Sequence, residues 1–322
     1  MNNTLVTVFG GSGFLGRHAV RALAQAGYRV RVAVRYPNLA NYLVPAGHVG
    51  QIQILKTNVR DEAQVAAAIA SADAVVNLVG ILYPAGGQSY QAMHADAPAM
   101  IGKCAKAAGV KTIVHVSTVG IATDSESVYS RTKAEGEEAL RHEFPEATIL
   151  RPSLVFGPED NFFNKFGWLA RMAPVLPLIG GGKTRFQPVF VGDVASAIRK
   201  CVEDSSTRGK TYELGGPSVY SFKEMLQIIL HETGRTRLLV PVPFWLANIK
   251  AFFLQFLPGT LLTPDQVTFL KTDNVVAKGA LPLADLGIVA DSMEAILPSY
   301  LWRFRREGQY QEPLSAARAP QK

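Results

Sequence analysis

The chain has 322 residues, of which 48% are hydrophobic and 18% charged, with a formal net charge of +7 at pH 7. This length suits one large α/β domain or a nucleotide domain with a smaller second lobe, and the composition excludes a disordered chain. The moderate positive charge suits an anionic cofactor or an anionic lipid surface, and the lack of aromatic-basic interleaving excludes a nucleic-acid partner.

The first predicted strand, Leu5–Phe9, is followed by GGSGFLG and by a helical pattern that closes at Gly27. Gly10, Gly13 and Gly16 give the spacing G-x-x-G-x-x-G, which allows a tight turn, a close backbone approach to a pyrophosphate and tight helix–strand packing. The N–H groups at the helix start face such an anion. The stretch therefore predicts a dinucleotide site, to which we assign Gly10, Ser12, Gly13, Phe14, Leu15, Gly16 and Arg17.

The second predicted strand, Arg29–Arg35, ends where the adenosine ribose of a dinucleotide is expected. A carboxylate there binds the free 2′-hydroxyl of NAD, whereas an arginine accommodates the 2′-phosphate of NADP. The strand ends in Arg35, Arg17 adds a second cation, and residues 1–60 contain no Asp or Glu. The sequence therefore favours NADP(H) over NAD(H).

Further strands at Ile52–Lys56, Ala74–Gly80 and Thr112–Ser117 alternate with predicted helices. This alternation implies right-handed crossovers and a Rossmann-type α/β fold with a doubly wound parallel sheet. Ligands bind at the carboxyl ends of such strands. This rule adds Asn58 and Val59 near the adenine, Leu78, Val79 and Gly80 near the ribose and pyrophosphate, and Ser117 and Thr118 near the reacting ring.

Tyr129 and Lys133 lie four residues apart at the start of a predicted helix, so their side chains share one face. The lysine charge is expected to lower the pKa of Tyr129 and let the phenol protonate a carbonyl oxygen as hydride arrives. Ser117 or Thr118 is expected to hold that oxygen. These four residues form the predicted catalytic set, and the sequence leaves open whether turnover occurs.

The glycine motif, Ser117 and Tyr-x-x-x-Lys resemble the short-chain dehydrogenase/reductase superfamily. ILRPSLVFGPED (Ile149–Asp160) and FQPVFVGDVASAI (Phe186–Ile198) resemble segments of its extended, epimerase-like members. The first segment passes the nicotinamide in those proteins. The resemblance therefore adds Pro152, Leu154 and Val155 to the cofactor site, together with Ser117, Tyr129 and Lys133.

YSRTKAEGE, FPEATILRPSLVFGPEDNFFNKF and GDVASAI are similar, more narrowly, to the branch that contains the nucleotide-binding accessory subunit of respiratory complex I and its bacterial relatives. This resemblance spans about Leu5 to Tyr310. It implies bound NADP(H) and a structural or assembly role at the junction of the peripheral arm with the membrane. Relatives also occur as free-standing proteins, so complex I is one expected partner among others.

The chain departs from the extended pattern at three places. His94 stands near the position of an asparagine that supports the lysine through water in many extended enzymes. Asn58 replaces an aspartate often found near the adenine. The segment between Ser117 and Tyr129 is short, which argues against a nucleotide-sugar substrate.

The later sequence predicts a smaller lobe. We expect an NADP(H)-binding domain over residues 1–150, a substrate or partner lobe over 151–310 whose interleaving with the sheet is left open, and a disordered tail over 311–322. Gly180–Gly182 with Lys183 favour a plain hairpin or turn over a phosphate site. Ser221 and Glu224 predict a capping box at the start of a helix.

A helix predicted over Phe244–Leu257 has only Asn248, Lys250 and Gln255 as polar residues. A helix that is apolar almost all round needs cover, from the lobe's own core, from a partner protein or from a lipid interface. Trp245, Lys250 and the basic WRFRREG (Trp302–Gly308) suit a surface of anionic lipids.

Cys104 and Cys201 match no metal or disulfide spacing, and the start of the chain runs directly into a strand. We therefore expect no metal site, no signal peptide and a cytoplasmic protein, with peripheral attachment to the cytoplasmic or matrix face of the inner membrane as an option. Three functions stay open: an NADP(H)-binding accessory protein, an active oxidoreductase or epimerase on a carbonyl, quinone-like or nucleotide-linked molecule, and a sensor of NADPH occupancy.

Overall fold

The computed structural model describes residues 3–255 and 262–310. Its strands are β1 (Leu5–Phe9), β2 (Arg29–Val34), β3 (Ile52–Lys56), β4 (Ala74–Asn77), β5 (Thr112–Val116), β6 (Thr148–Pro152), β7 (Val155–Phe156), β8 (Val175–Ile179), β9 (Arg185–Phe186), β10 (Val189–Phe190), β11 (Thr211–Leu214), β12 (Tyr220–Ser221) and β13 (Leu238–Val242). Its α-helices are α1 (Phe14–Gln25), α2 (Glu62–Ile69), α3 (Ala97–Ala107), α4 (Val128–Glu143), α5 (Phe163–Met172), α6 (Val191–Glu203), α7 (Phe222–Glu232), α8 (Phe244–Leu254), α9 (Pro264–Phe269), α10 (Met293–Ile296) and α11 (Pro298–Leu301).

Seven strands form one sheet in the order β11-β6-β5-β4-β1-β2-β3. Every neighbouring pair in it is parallel. The direction of winding reverses between β1 and β4, and in such sheets the ligand crevice lies outside the carboxyl ends of the strands at this reversal. The predicted Rossmann-type doubly wound sheet is confirmed.

The central strands are buried along their whole length. All residues of β1, β4 and β5 are buried, as expected for parallel strands that helices cover on both faces. Helices α1 and α6 pack together, and α2, α3 and α4 form a second packed group. The two helix groups therefore hold the strand ends in fixed positions.

The chain divides into two compact units. The first unit comprises Met1–Pro152, Val191–Leu214 and Val276–Val289, so β11 and α6 return to it from later in the chain. The predicted boundary between residues 150 and 151 falls inside β6, which pairs with β11 up to its end at Pro152. The second unit comprises Ser153–Phe190, Gly215–Val275 and the chain from Ala290 onward.

Among its described residues, the second unit has three two-stranded sheets, β7 with β10, β9 with β12 and β8 with β13. Its core is rich in aromatic side chains, including Phe156, Phe163, Phe186 and Phe222. The capping box of α7 is confirmed, with both bonds between Ser221 and Glu224 present. Gly180–Gly182 form a turn directly after β8, each with a positive φ. The predicted disordered tail over 311–322 lies outside the described residues.

Helix α8 buries one face and exposes the other. Ala247 and Ala251 are buried, whereas Trp245 is 65%, Phe252 54% and Phe253 68% exposed. The core therefore covers only part of this apolar helix. The end of the predicted helix, at residues 256 and 257, lies outside the described residues. Among the described helices, none is long and apolar enough to cross a membrane.

Candidate nucleotide site and Tyr-Lys pair

The glycine turn between β1 and α1 is packed too tightly for a side chain at Gly10 and at Gly16. Gly10 has a φ of +76°, and a Cβ there would lie 3.1 Å from the carbonyl of Leu78. A Cβ at Gly16 would lie 2.4 Å from the Gly10 oxygen. At Gly13 the nearest atom to a Cβ is the Gly10 oxygen at 3.4 Å, so space is open on that side. The turn therefore brings bare backbone to the end of β4.

The first turn of α1 suits an anion. Gly13 is the N-cap and supplies no side-chain cap, and the turn contains no acidic residue. The first N–H groups of a helix have no partner within it and carry the positive end of its dipole. The backbone from Gly13 to Gly16, with Ser12, Phe14 and Leu15, fits the pyrophosphate of a dinucleotide.

Two arginines stand beside tyrosines around this turn. The Arg17 guanidinium lies 4.9 Å from the ring centroid of Tyr42, whose hydroxyl donates to the Ser12 carbonyl at 2.7 Å. The Arg35 guanidinium lies 5.5 Å from the ring of Tyr36. Both tyrosines are exposed, and no sequence pattern marks an aromatic residue in the loop after β2 as part of a site. Sequence reasoning missed them for this reason.

A third arginine is held near the end of β3. The Asn58 Oδ1 accepts bonds from the backbone N and the Nε of Arg60, at 3.2 and 3.3 Å. Arg60 Nη1 donates to the Gly87 carbonyl at 2.8 Å. Val59 is buried in the core. Asn58 thus fixes Arg60, a residue that the sequence did not single out, and its contact with adenine stays a prediction.

Buried polar side chains form a layer at the ends of β4 and β5. Asn77 Oδ1 accepts from the Val79 N–H at 3.1 Å, and Asn77 Nδ2 donates to His115 Nδ1 at 3.0 Å. Burial and the nearby charge of Lys133 hold the pKa of His115 well below its ordinary value. The Val79 backbone is therefore held by a neutral Asn77–His115 pair.

Helix α4 begins at Val128 because the Ser127 side chain caps it, accepting from the Ser130 N–H at 3.3 Å. Lys133 is buried on this helix, and its Nζ donates to the Val116 carbonyl at 3.3 Å. Burial lowers the pKa of Lys133 to about 8, against the opposite effect of the Glu137 carboxylate. Tyr129, one turn before the lysine, is half-buried.

The end of β5 meets the lysine and the loop after β4. The Ser117 Oγ is buried and has no hydrogen-bond partner within the described part of the chain. Thr118 Oγ1 donates to the Pro152 carbonyl at 3.2 Å. A Cβ placed on Gly80 would lie 3.4 Å from Lys133 Nζ, so the lysine ammonium reaches the loop after β4. The unbonded hydroxyl of Ser117, the ammonium of Lys133 and the helix that carries Tyr129 therefore meet where the reacting ring of a dinucleotide is expected.

The remaining predicted residues fall in different parts of the molecule. Pro152 ends β6 in the first unit, whereas Leu154 and Val155 belong to the second unit. Their role in cofactor binding stays a prediction. Over residues 3–255 and 262–310, no group of three His, Cys, Asp or Glu side chains is placed to hold a metal ion.

The chain matches one family model and is similar to several known proteins. The family model described as NAD dependent epimerase/dehydratase family matches residues 6–215. The mitochondrial NADH dehydrogenase (ubiquinone) 1 alpha subcomplex subunit 9 of Arabidopsis thaliana is 36% identical over 96% of this chain and 80% of its own length. The protein of the same name from Mus musculus is 33% identical over 91% of this chain and 78% of its own length.

Solved structures share the fold. The dTDP-glucose 4,6-dehydratase DesIV of Streptomyces venezuelae, with NAD bound, has a TM-score of 0.71 at 20% identity and covers 95% of this chain and 98% of its own. The NADPH-dependent quinone oxidoreductase QOR2 of Escherichia coli, complexed with NADPH, has a TM-score of 0.72 at 20% identity over 92% and 98% of the two chains.

Proposed function

The chain belongs to the NAD dependent epimerase/dehydratase family, and we propose that it is an NADP(H)-binding accessory protein of a membrane-bound respiratory complex. The observation that carries the proposal is the 36% identity, over 96% of the chain, to a subunit of NADH dehydrogenase. This likeness extends through the second unit, beyond the residues that the family model matches. Respiratory complex I is therefore the proposed partner.

The glycine turn supports nucleotide binding by this chain. Gly10, Gly13 and Gly16 would hold the pyrophosphate with backbone N–H groups, and Leu78, Val79 and Gly80 would line the ribose. Lys133 would bind hydroxyl groups of the nucleotide beside Gly80, and Ser117 would offer its open Oγ. When bound, the nicotinamide supplies hydride chemistry.

The charges near the first turn of α1 support a preference for NADP(H). Arg17 lies in the first turn of α1 and Arg35 directly follows β2, and residues 1–60 contain no Asp or Glu. A 2′-phosphate adds about two negative charges, which arginine binds through charge-assisted hydrogen bonds. The ring of Tyr42 beside Arg17 would limit the movement of that guanidinium.

Two features of the second unit support attachment to a membrane surface from the cytoplasmic or matrix side. Helix α8 exposes Trp245, Phe252 and Phe253, which suit the interface of a bilayer. Burial and the nearby charges of Arg237, Arg306 and Arg171 lower the pKa of Arg235. Such a basic cluster attracts anionic lipids.

Identification of the retained nucleotide tests the proposal. The full-length protein is purified without added nucleotide, its bound species is identified by mass spectrometry and fluorescence, and it is chased with excess NADP⁺. We expect NADPH to co-purify and to exchange over hours. An empty site, or exchange within seconds, would overturn the role as a tight nucleotide holder.

Association with the complex is tested separately. Detergent-solubilised membranes of the source organism are separated by native gel electrophoresis, and the protein is followed by immunoblotting. We expect it to co-migrate with the band that stains for NADH dehydrogenase activity. Migration only as a free protein would overturn the accessory role and leave nucleotide binding intact.

The buried Lys133 favours a second function, that of an active NAD(P)-dependent oxidoreductase. A lysine with a pKa of about 8 next to Tyr129 on one helix face can exchange protons near neutral pH. Ser117 and Thr118 would hold the substrate's carbonyl oxygen, and Tyr129 would protonate it. Rapid exchange of the nucleotide in the chase experiment favours this function.

A further inference from the structure

His94 lies between helix α4 and the loop after β4, which both contribute residues to the proposed nucleotide site. It is 1% exposed and sits in a π-helical turn, Gln91–Asp96, that precedes α3. Such turns place a side chain where a regular α-helix would not, and they are frequent at functional sites. The proposed function gives this histidine no role.

The π-helical turn and the residue before it, Tyr90, hold the loop that follows β4 at two consecutive residues. The Ile81 N–H donates to His94 Nε2 at 3.0 Å, and the Tyr90 hydroxyl donates to the Leu82 carbonyl at 2.9 Å. The rings of Tyr90 and His94 are stacked, with centroids 5.3 Å apart. The loop is thus fixed directly after Gly80.

The other side of the His94 ring is bonded to α4. His94 Nδ1 lies 3.3 Å from Thr132 Oγ1, and that hydroxyl donates to the Val128 carbonyl at 2.8 Å. A backbone N–H can only donate, so Nε2 carries no proton and the neutral ring carries its proton on Nδ1. The chain of donors therefore runs from Ile81 through the His94 ring to Thr132, the residue before Lys133.

Close packing leaves this arrangement little freedom. A Cβ on Gly136 of α4 would lie 1.7 Å from the His94 carbonyl oxygen, so the two backbones touch. The ring of Tyr129 stands perpendicular to the His94 ring, with centroids 5.2 Å apart. Gly80, Lys133 and His94 also meet, because a Cβ on Gly80 would lie 3.4 Å from Lys133 Nζ and 3.8 Å from His94 Nε2.

We propose that His94 is a positioning residue that ties the loop after β4 to α4, and so keeps Gly80 and Lys133 together for nucleotide binding. The tie itself follows from the bonds of the first unit, and its effect on nucleotide affinity rests on the proposed function. The ring acts as a neutral connector, not as an acid or base.

The charges around the ring favour the neutral form. Burial and the nearby ammonium of Lys133 lower the pKa of His94 to about 3. His115, the other histidine of this layer, is also held neutral by burial. Both histidines are therefore neutral at physiological pH, and the positive charge of this layer is on Lys133.

Two substitutions separate the tie from simple packing. In His94→Gln, Oε1 reaches the position of Nε2 and still accepts from Ile81, whereas the shorter side chain of His94→Asn ends near the position of Nδ1. We expect His94→Asn to raise the Kd for NADPH about tenfold and His94→Gln less than about threefold, because an unbonded buried N–H is costly. Affinities are measured by NADPH fluorescence titration.

Amide hydrogen exchange in the nucleotide-free protein supplies a readout that does not depend on the cofactor. We expect the Ile81 amide to exchange at least about tenfold faster in His94→Asn than in His94→Gln or wild type. Equal NADPH affinities in the two variants, or unchanged exchange at Ile81, would overturn the proposal.

The controls distinguish this proposal from the proposed function. A wild-type protein that binds no dinucleotide would overturn the proposed function. Amide hydrogen exchange at Ile81 would still test whether His94 ties the loop after β4 to α4. If His94→Asn does not fold, Thr132→Val removes the bond on the α4 side and takes its place. Unchanged NADPH affinity in a folded Thr132→Val protein would then overturn the role of His94 in nucleotide binding.

Discussion

The Arg151 guanidinium donates two hydrogen bonds to the Glu137 carboxylate, from Nε to Oε1 at 3.0 Å and from Nη2 to Oε2 at 2.7 Å. This pair joins the end of β6 to α4, the helix of Tyr129 and Lys133. Glu213 reaches the same guanidinium at 3.4 Å. Because Glu137 is buried, the position of α4 on the sheet depends on this pair.

Glu137→Gln is expected to lower the free energy of unfolding by about 3 kcal/mol, because breaking a buried pair leaves the Arg151 charge poorly compensated. Urea unfolding at pH 7 measures the change. The matched control is Glu138→Gln, an exposed position on the same helix, for which we expect less than about 0.5 kcal/mol. Equal small losses in both variants would show that the pair contributes little.

Lys133 is expected to make stability rise with pH. Burial lowers its pKa to about 8 in the folded protein, and an ordinary lysine titrates near about 10.4. Between these values the unfolded chain binds a proton that the folded chain has released, so the folded state gains stability as pH increases.

From pH 7.5 to 9.5, wild type should therefore gain roughly 1–2 kcal/mol relative to Lys133→Met in the nucleotide-free state. Urea unfolding across this range measures the difference. Lys106→Met, an exposed position on α3, is the control and should track wild type. A difference between wild type and Lys133→Met that stays constant with pH would contradict the lowered pKa.

Arg35→Asp tests the cofactor preference. We expect the Kd for NADPH to rise about 10- to 100-fold, because the variant loses a charge-assisted bond and gains a repulsion with the 2′-phosphate. The Kd for NADH should change less than about threefold. Arg29→Asp makes the same charge change at the other end of β2 and should affect neither. Equal losses for both nucleotides would reject Arg35 as the phosphate ligand.

The exposed face of α8 is tested with vesicles of phosphatidylcholine and phosphatidylglycerol. Replacing both Phe252 and Phe253 by Glu should abolish co-sedimentation and leave the melting temperature within a few degrees, because both side chains are exposed. Ala251→Glu, which places a charge in the core on the same helix, should unfold the protein instead. Undiminished vesicle binding by the double variant would exclude α8 as the lipid contact.

Tyr129→Phe separates binding from chemistry. We expect the Kd for NADPH to stay within about threefold of wild type, whereas any carbonyl reduction should fall by about 100-fold or more, because the phenol is the proposed acid. Fluorescence titration and a spectrophotometric reductase assay measure the two effects. A large loss of affinity would make Tyr129 a nucleotide-holding residue.

Local patterns were sufficient to predict the sheet and the glycine turn. The strand-helix alternation up to Ser117 and the spacing of Gly10, Gly13 and Gly16 are short-range signals, because each element and its turn are contiguous in sequence. The Tyr129–Lys133 pair was predictable for the same reason. The start of α4 also follows from its capping residue, Ser127.

Features that depend on distant contacts were not predictable. The approach of Tyr42 to Arg17 and the bond between Ile81 and His94 join residues that no periodicity relates. Composition also does not determine which face of α8 is covered, since Ala251 and Phe252 are neighbours with opposite burial. Such relationships are set by packing between elements, which a single sequence does not encode in a readable pattern.

Strand β11 lies late in the sequence, which has a consequence for folding during translation. The continuous part of the first unit ends at Pro152, and its seventh strand follows only at Thr211–Leu214. At the usual speed of a ribosome, on the order of 3 to 12 seconds separate the two events. During this interval the edge of β6 in the nascent chain has no partner strand. Until β11 has been made, chaperones can bind this edge and other strands can pair with it wrongly.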